Sequence, residues 1–487
     1  MDVGEHRDAQ GRRTLAQGLR ALALAAVWLG AAVLLWRTEV PSLSLADLDP
    51  RDYFTAPEIA RSEDYRSGAR ALFLGGLAAE LAVLALLVWN ARPLATRLGR
   101  IGRGRVRTAV FLGTAAVVAV WGVGVPFAAA SHVRRVDHRL SEQGWGAWLA
   151  DRALSLGVRA VLVAIAVAGA VWLAGRLGRR WWLAGAPALV GVAVVVVLAQ
   201  PLVIAPLFNR FEPLPDRELA AEIEELAARM GVEVDDVLVA DASRRTTTAN
   251  AYVSGIGPTR RVVLYDTLLD GRFTEGEILS VSAHELAHVG ERHLWKGLAW
   301  FALFAVPGVA LLAWITERRG GLADPRLVPL GLAFVFVYLL VTQPLANAVS
   351  RRYEAEADWL ALQATGDPES AVALEQRFVT TSLSDPDPPA WVRYWLGTHP
   401  PPMERIAMAE AAAASAVQAS SSDAAGRPCS GRFRMPSRVD HFDQESVIAA
   451  MSSCMKRGDI FTRVTTTPGT SPSSTSWSMR ANVSVNS

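Results

Sequence analysis

Seven stretches of the chain are almost entirely apolar, and only the second contains a charged residue, Glu80. A helix that spans a membrane needs roughly 20 apolar residues, because each residue advances the helix by about 1.5 Å. Five stretches have that length, and the first and fourth, with 16 residues each, reach it when flanking arginines extend to the interface. The pattern predicts seven membrane-spanning helices, over Ala21–Trp36, Ala71–Ala91, Thr108–Ser131, Ala160–Gly175, Trp181–Asn209, Gly297–Thr316 and Leu327–Ser350.

The first stretch has a second interpretation, a cleavable signal peptide, because Arg7, Arg12 and Arg13 precede it. No small-residue cleavage site follows it cleanly, so we expect an uncleaved span. The orientation in the membrane stays open. Each side carries 16 arginines and lysines next to the spans, and the charge rule therefore favours neither side clearly.

The composition agrees with a membrane protein. Hydrophobic residues make up 51% of the chain and charged residues 20%, with a mean hydropathy of +0.23, whereas soluble proteins carry about 25% charge. The formal net charge of +2 lacks the basic excess of nucleic-acid binders, so we expect no nucleic-acid partner. The two cysteines, Cys429 and Cys454, exclude a disulfide scaffold, a cysteine zinc finger and an iron–sulfur cluster.

The longest polar segment runs from Asn209 to Glu291. Helical spacing of its apolar residues predicts helices over Arg217–Met230 and Thr274–His293, and another helix, Ser350–Thr365, continues out of the last span. Runs of β-branched and aromatic residues predict a small antiparallel sheet, with strands Val234–Ala240, Ala251–Ser254 and Arg261–Tyr265 and a hairpin turn at residues 255–258.

The predicted helix Thr274–His293 contains the motif His284-Glu285-Leu286-Ala287-His288. Positions four residues apart lie on the same face of a helix, so both imidazoles can reach one metal ion. Glu285 is rotated by about 100° from His284 and can act as general base on a water at that ion. The alternative, an exposed helix face with incidental histidines, is weak because the pentapeptide is rarely met by chance. The motif predicts one catalytic Zn²⁺ per chain.

A catalytic zinc site needs a third protein ligand and leaves the fourth position for water. A longer zinc motif would place glycine at 291 and histidine at 294, but these positions hold Glu291 and Leu294. A carboxylate from the later helix is the remaining source. Glu354 and Asp358 share a face of that helix, so one can bind the metal while the other holds a ligand histidine. We expect Glu354 to be the ligand. Glu356 falls on the opposite face, where a solvated carboxylate is expected.

These residues and three further motifs resemble the type I CAAX prenyl endopeptidases, which are seven-span zinc metallopeptidases. The resemblance runs from about residue 10 to residue 412, and its most specific motifs lie between residues 206 and 406. The further motifs are Pro206-Leu207-Phe208-Asn209-Arg210-Phe211, Asn250-Ala251-Tyr252, and His399-Pro400-Pro401 followed by Glu404-Arg405-Ile406. The resemblance implies a mainly α integral membrane fold, in which seven helices enclose a chamber and a small α+β zinc metallopeptidase domain lies at one end.

The resemblance also assigns roles residue by residue: His284, His288 and Glu354 hold zinc, Glu285 activates the water, Asp358 orients a histidine ligand, Asn250 binds the substrate backbone, and His399 with Arg405 contacts the substrate or its oxyanion. Purely structural alternatives remain for Asn250, His399 and Arg405. Asn250 can start a strand, the prolines after His399 can simply stiffen a loop, and Arg405 can pair with Glu354 or Asp358. His293 is expected to pack or to act behind the ligands.

The predicted organisation is a membrane region of five spans at 1–206, a catalytic segment at 207–295, two spans at 296–350, a second catalytic segment at 351–412 and a disordered tail at 413–487. The leading function is a multi-pass membrane zinc endopeptidase, in the cell membrane if the chain is bacterial, which cuts peptide or protein substrates that are lipidated, membrane-tethered or hydrophobic. CAAX processing and broad-specificity quality control both remain open. The competing class is a non-catalytic transporter or scaffold.

Overall fold

The computed structural model describes residues 22–255, 257–426, 461–467 and 476–481. The described residues before the polar segment form helices joined by loops. It consists of α1 (Leu22–Leu35), α2 (Ala56–Trp89), α3 (Ala91–Gly102), α4 (Arg105–Asp137), α5 (Trp145–Leu177), α6 (Trp181–Ala199) and the short α7 (Ala205–Phe208). The protein is therefore mainly α, as predicted.

The polar segment folds into a small mixed domain, and two long apolar helices follow it. The elements are β1 (Phe211–Pro213), α8 (Arg217–Arg229), β2 (Asp236–Ala240), β3 (Ala251–Ser254), β4 (Arg261–Tyr265), α9 (Glu275–Gly290), α10 (His293–Glu317), α11 (Val328–Thr365), α12 (Pro368–Ser382), α13 (Ala390–Trp395) and α14 (Pro402–Gly426).

Five helical stretches are long and apolar enough to cross a membrane. They are Ala56–Trp89, Arg105–Asp137, Trp145–Phe208, His293–Glu317 and Pro325–Thr365. Two of the seven predicted spans do not count separately. The first is the shorter helix Leu22–Leu35, and the fourth and fifth fall within one 64-residue helical stretch, Trp145–Phe208.

The sheet differs from the predicted antiparallel arrangement. Its strand order is β1-β2-β4-β3, with β2 and β4 parallel and the other two pairs antiparallel. The hairpin of β3 and β4 is confirmed, but β2 lies against β4 and leaves β3 at the edge. Burial explains the order, because Val262, Val263 and Leu264 of β4 are at most 1% exposed. A strand that is apolar on both faces belongs in the centre of a sheet.

The main core joins this sheet to α8 and α9. Ile223, Leu226, Val262 and Leu286 are buried in it together, so the motif helix α9 is fixed by hydrophobic burial on one side. Its first turn is fixed by a capping box between Thr274 and Glu277.

Two compact units divide the chain, Met1–Ala409 and Glu410–Ser487. The second unit contains an antiparallel strand pair, β5 (Phe461–Thr467) and β6 (Ser476–Ala481). These strands and the end of α14 fall within the tail that was expected to be disordered. The rest of that tail, residues 427–460, 468–475 and 482–487, lies outside the described residues.

The carboxylate of Glu277 links α9 to α12, so its removal should loosen the motif helix. Glu277 is fully buried and accepts hydrogen bonds from Arg377 at 3.1–3.2 Å. We expect Glu277→Ala to destabilise the protein by about 2–4 kcal/mol, because it removes both a cap and a buried ionic partner. Thermal unfolding in detergent measures this. Glu369→Ala is the matched control, since Glu369 lies in the first turn of α12 but is exposed. Equal melting of the two variants would contradict the assignment.

Candidate active site

The helices α9 and α11 bring three predicted ligands together. His284 Nε2 lies 3.1 Å from Glu354 Oε2 and 3.1 Å from His288 Nε2, and His288 Nε2 lies 3.5 Å from Glu354 Oε2. The two histidines share a face of α9 because they are four residues apart. Glu354 reaches them from the end of α11, 70 residues further along the chain.

The residues fit a zinc ion. Tetrahedral zinc with N and O ligands at 2.0–2.1 Å places neighbouring ligand atoms roughly 3.3 Å apart. The three separations of 3.1, 3.1 and 3.5 Å bracket that value. Electrostatics also favour a cation at this point. Burial alone would lower the pKa of His284, but the charge and hydrogen bond of Asp358 and the hydrogen bond of Glu354 raise it to about 10.

Asp358 holds His284 from behind. His284 Nδ1 lies 2.7 Å from Asp358 Oδ1, so Nδ1 donates its hydrogen there and Nε2 keeps its lone pair for a metal. Arg405 in turn donates to Asp358 through Nε at 2.8 Å and Nη2 at 2.6 Å, and its Nη1 lies 2.6 Å from the buried Glu375. The structure thus gives Arg405 the pairing with Asp358 that was left open beside a substrate contact.

A second series of hydrogen bonds holds His288. His288 Nδ1 lies 2.8 Å from Nδ1 of His293, and Nε2 of His293 lies 2.9 Å from Glu356 Oε2. One set of tautomers satisfies both contacts: His288 donates to His293, and His293 donates to Glu356. The left-handed Arg292 (φ 57°) begins α10 beside the end of α9, which brings His293 back to the motif. The expected role of His293 behind the ligands agrees with these contacts.

The expectation of a solvated Glu356 is wrong, because its side chain is fully buried. Besides His293, it accepts a hydrogen bond from the backbone N–H of Glu39 at 2.6 Å and lies 3.6 Å from Lys296 Nζ. The ring of Tyr353 stacks on His293 at 4.6 Å, and its hydroxyl donates to the Leu35 carbonyl. Helical periodicity alone could not show that α10 and the segment after α1 cover this face of α11.

Glu285 and His399 complete the surroundings of the cluster. Burial raises the pKa of the Glu285 carboxyl, and the nearby Glu354 charge adds to this. His399 Nε2 lies 3.2 Å from Glu354 Oε2, and 56% of the His399 side chain is exposed. An imidazole at the rim of the cluster can therefore meet both the ligands and a molecule from solvent.

Asn250 lies apart from these contacts, immediately before the edge strand β3. Its backbone carbonyl accepts from the N–H of Tyr265 at 2.9 Å, and the residue is exposed. It lines a cavity together with Arg66 and Arg135. Because β3 packs against α9, Asn250 stands at one end of the strand nearest the motif helix.

Comparison with known proteins gives two family matches. The model described as Peptidase family M48 matches residues 213–413, and the model described as CAAX prenyl protease N-terminal, five membrane helices, matches residues 49–210. A Bacillus subtilis protein named uncharacterized metalloprotease YhfN is 30% identical over 380 residues, which are 74% of this chain and 88% of that protein.

Two further likenesses agree. CAAX prenyl protease 1 of Saccharomyces cerevisiae is 43% identical over 197 residues, 35% of this chain and 43% of the yeast protein. The crystal structure of S. mikatae Ste24p matches with a TM-score of 0.67 at 20% identity, covering 79% of this chain and 97% of that one. The latter shows a shared fold.

The fold and these matches define a multi-pass membrane metalloprotease. Membership of the family implies a metal cofactor, typically zinc, and His284, His288 and Glu354 could hold it. The chain belongs to peptidase family M48 and, within M48, to the type I CAAX prenyl proteases. The predicted family, enzyme class and membrane location are confirmed, and the non-catalytic transporter or scaffold is not favoured.

His293 should matter for metal affinity although it is not one of the three predicted ligands. We expect His293→Ala to weaken zinc binding by roughly 10–100-fold, because His288 then loses the acceptor that fixes its ring. Competition with a fluorescent zinc chelator measures the affinity. His138→Ala is the control, since His138 pairs with the exposed Asp64 outside the cluster. Unchanged zinc affinity in His293→Ala would show that the contact at 2.8 Å does not orient His288.

Proposed function

We propose that the chain is a zinc endopeptidase in which His284, His288 and Glu354 hold one Zn²⁺. The observation that carries the proposal is the convergence of three lone-pair atoms at 3.1–3.5 Å, with Asp358 behind His284 and His293 behind His288. Zinc bound there supplies a Lewis acid that polarises a carbonyl and lowers the pKa of water.

The side chains around the ligands then have separate tasks. Glu285 takes a proton from the attacking water and later delivers it to the leaving amine, the two transfers that a positioned carboxylate makes as general base and general acid. His399, exposed beside Glu354, donates a hydrogen bond to the scissile carbonyl oxygen as negative charge grows there. We assign Arg405 to positioning, since its nitrogens contact Asp358 and Glu375.

The substrate is proposed to be an extended, membrane-tethered peptide processed at a CAAX-type carboxyl end. Relatives from yeast and plants are named CAAX prenyl proteases, and a prenyl group would hold such a peptide at the membrane. Asn250 and the edge strand β3 are proposed to bind its backbone, because an edge strand offers unpaired main-chain groups to an extended chain.

Seven crossings are proposed for the chain. The 64-residue stretch Trp145–Phe208 would be roughly 96 Å long as one helix, against a hydrocarbon core of about 30 Å. The left-handed Gly178 (φ 52°) separates α5 from α6 within it. The first predicted span, α1, packs on α10, where Trp28 Nε1 donates to the Leu303 carbonyl at 3.0 Å.

Contacts between loops support this count, because they fall into two groups. Arg135 with Thr246 and Gln376 with Tyr53 join the end of α4 and the segment before α2 to the metal-site domain, and Arg134 with Asp64 joins the end of α4 to the start of α2. Elsewhere, α3 contacts the turn Pro325–Leu327, and Trp181 packs with Leu322. Seven alternating crossings place the first group on one side of the membrane and the second on the other.

Replacing the proposed base should separate catalysis from metal binding. We expect Glu285→Gln to keep about one zinc per chain but to lose about 100–10,000-fold in peptide cleavage, because an amide cannot accept the proton. Glu354→Gln, in contrast, should lose both zinc and activity. A chelator should abolish the activity of the wild type. Glu275→Gln, at an exposed position on the same helix, is the control. Cleavage by Glu285→Gln at the wild-type rate would exclude Glu285 as base.

Site-directed labelling tests the crossings. With Cys429 and Cys454 replaced by serine, single cysteines are placed at Gly104, between α3 and α4, and at Glu225 on α8. An odd number of crossings separates the two sites, so a membrane-impermeant maleimide applied to intact cells should label only one of them. Permeabilised cells, in which both should react, are the control. Labelling of both sites in intact cells would contradict seven alternating crossings.

A further inference from the structure

A polar cavity lies at the amino-terminal end of the edge strand β3. Its volume is ≈ 460 Å³, and Arg66, Arg135, Thr246, Thr248 and Asn250 contribute to its lining. The two arginines come from α2 and α4, so the membrane helices and the metal-site domain both build the cavity.

The described side chains that line the cavity are cationic or neutral. No aspartate or glutamate occurs among the described residues that line it. Arg66 donates only to neutral oxygens, at the Leu383 carbonyl (2.5 Å), the Ser382 carbonyl (3.0 Å) and the Ser384 hydroxyl (3.2 Å).

Arg135 has the same character. It donates to the Leu140 carbonyl and the Thr246 hydroxyl, both at 3.2 Å. Two nearby carboxylates have other ionic partners: Asp64 pairs with Arg134 and His138, and Asp385, whose charge also acts on Arg66, pairs with Arg70. Two guanidinium groups facing neutral acceptors favour an anion between them.

The direction of β3 determines which end of a bound peptide lies at this cavity. β3 pairs with β4 on one side and lies at the edge of the sheet on the other. A peptide that adds antiparallel to β3 runs in the opposite direction, so its carboxyl end lies next to Asn250 and Ala251. A parallel peptide would direct its carboxyl end away from Arg66 and Arg135.

We propose that this cavity binds the terminal α-carboxylate of the substrate, with Arg135 and Arg66 as the recognising groups. The inference rests on the proposed function, since it assigns β3 to the peptide backbone. The four residues of β3 extend over roughly 13 Å. Because β3 packs on α9, a peptide anchored at its carboxyl end presents only a bond close to that end to His284 and His288.

The test uses two peptides that differ in one group. Both carry an amino-terminal fluorescein and a farnesylated cysteine fourth from the end, and one ends in a free carboxylate while the other ends in an amide. We expect wild type to cleave the free acid with a kcat/KM roughly 10–100-fold above that of the amide, because hydrogen bonds to a charged group are worth about 1.5–3 kcal/mol. Arg135→Gln should reduce this ratio to near one by slowing only the free acid, and Arg135→Lys should retain part of it.

The ratio of the two rates does not depend on how much of the protein is active, so partial misfolding of a variant does not obscure it. Arg66→Lys serves as the second variant and should also lower the ratio. Arg229→Gln, an exposed arginine on α8, should leave it unchanged. Equal cleavage of acid and amide by wild type, or an equal loss for both peptides in Arg135→Gln, would overturn the proposal.

Binding separates this inference from the proposed function. Fluorescence anisotropy of both peptides on Glu285→Gln in detergent requires no cleavage. Tighter binding of the free acid, lost in the double variant Glu285→Gln Arg135→Gln, would support the carboxylate site even if wild type cleaved neither peptide. Equal binding of acid and amide would exclude the site even if wild type cleaved both.

Discussion

His284 Nε2, His288 Nε2 and Glu354 Oε2 lie 3.1–3.5 Å apart in a largely buried space, and atoms of this kind need a shared proton or a metal cation to remain so close. That constraint governs the meeting of α9 and α11. Two imidazoles and a carboxylate share it, and the separations suit the edges of a tetrahedron around zinc. The rest of the domain serves to hold this contact, because α9 is packed against the sheet through Leu286 and tied to α12 through Glu277.

The two histidines depend on parts of the chain that are far apart in sequence. Behind His284 the hydrogen bonds continue through Asp358 to Arg405, near the end of the first compact unit. Behind His288 they continue through His293 and Glu356 to the backbone of Glu39, after the first apolar helix. Partners of this kind commonly change metal affinity by about 10–100-fold. The site therefore needs both ends of the described membrane domain in place, and this explains why ligands and supporting residues span so much of the chain.

The sequence was informative where one element decides the geometry. The spacing of His284 and His288 fixes their common face, and the shared face of Glu354 and Asp358 predicted that one would meet the cluster and the other a histidine. It was less informative where several elements meet. Glu356 looked solvated because helical periodicity cannot show which neighbours cover a face, and β2 was paired wrongly because strand order depends on which strand is buried on both sides. The separate predicted spans Ala160–Gly175 and Trp181–Asn209 correspond to α5 and α6, although both lie in one continuous helical stretch, Trp145–Phe208.

Charge at one end of an edge strand can decide the direction in which a peptide pairs with that strand. Parallel and antiparallel pairing differ only slightly in stability per residue, so backbone hydrogen bonds alone select the direction weakly. Opposite charges 4 Å apart near a protein surface are worth about 4 kcal/mol before desolvation, and like charges cost a similar amount. With Arg66 and Arg135 at the Asn250 end of β3, antiparallel pairing, which brings the terminal carboxylate there, is favoured over parallel pairing by more than the intrinsic pairing preference. Electrostatics would then set the direction of the chain over α9, and the direction sets which bond reaches Glu285.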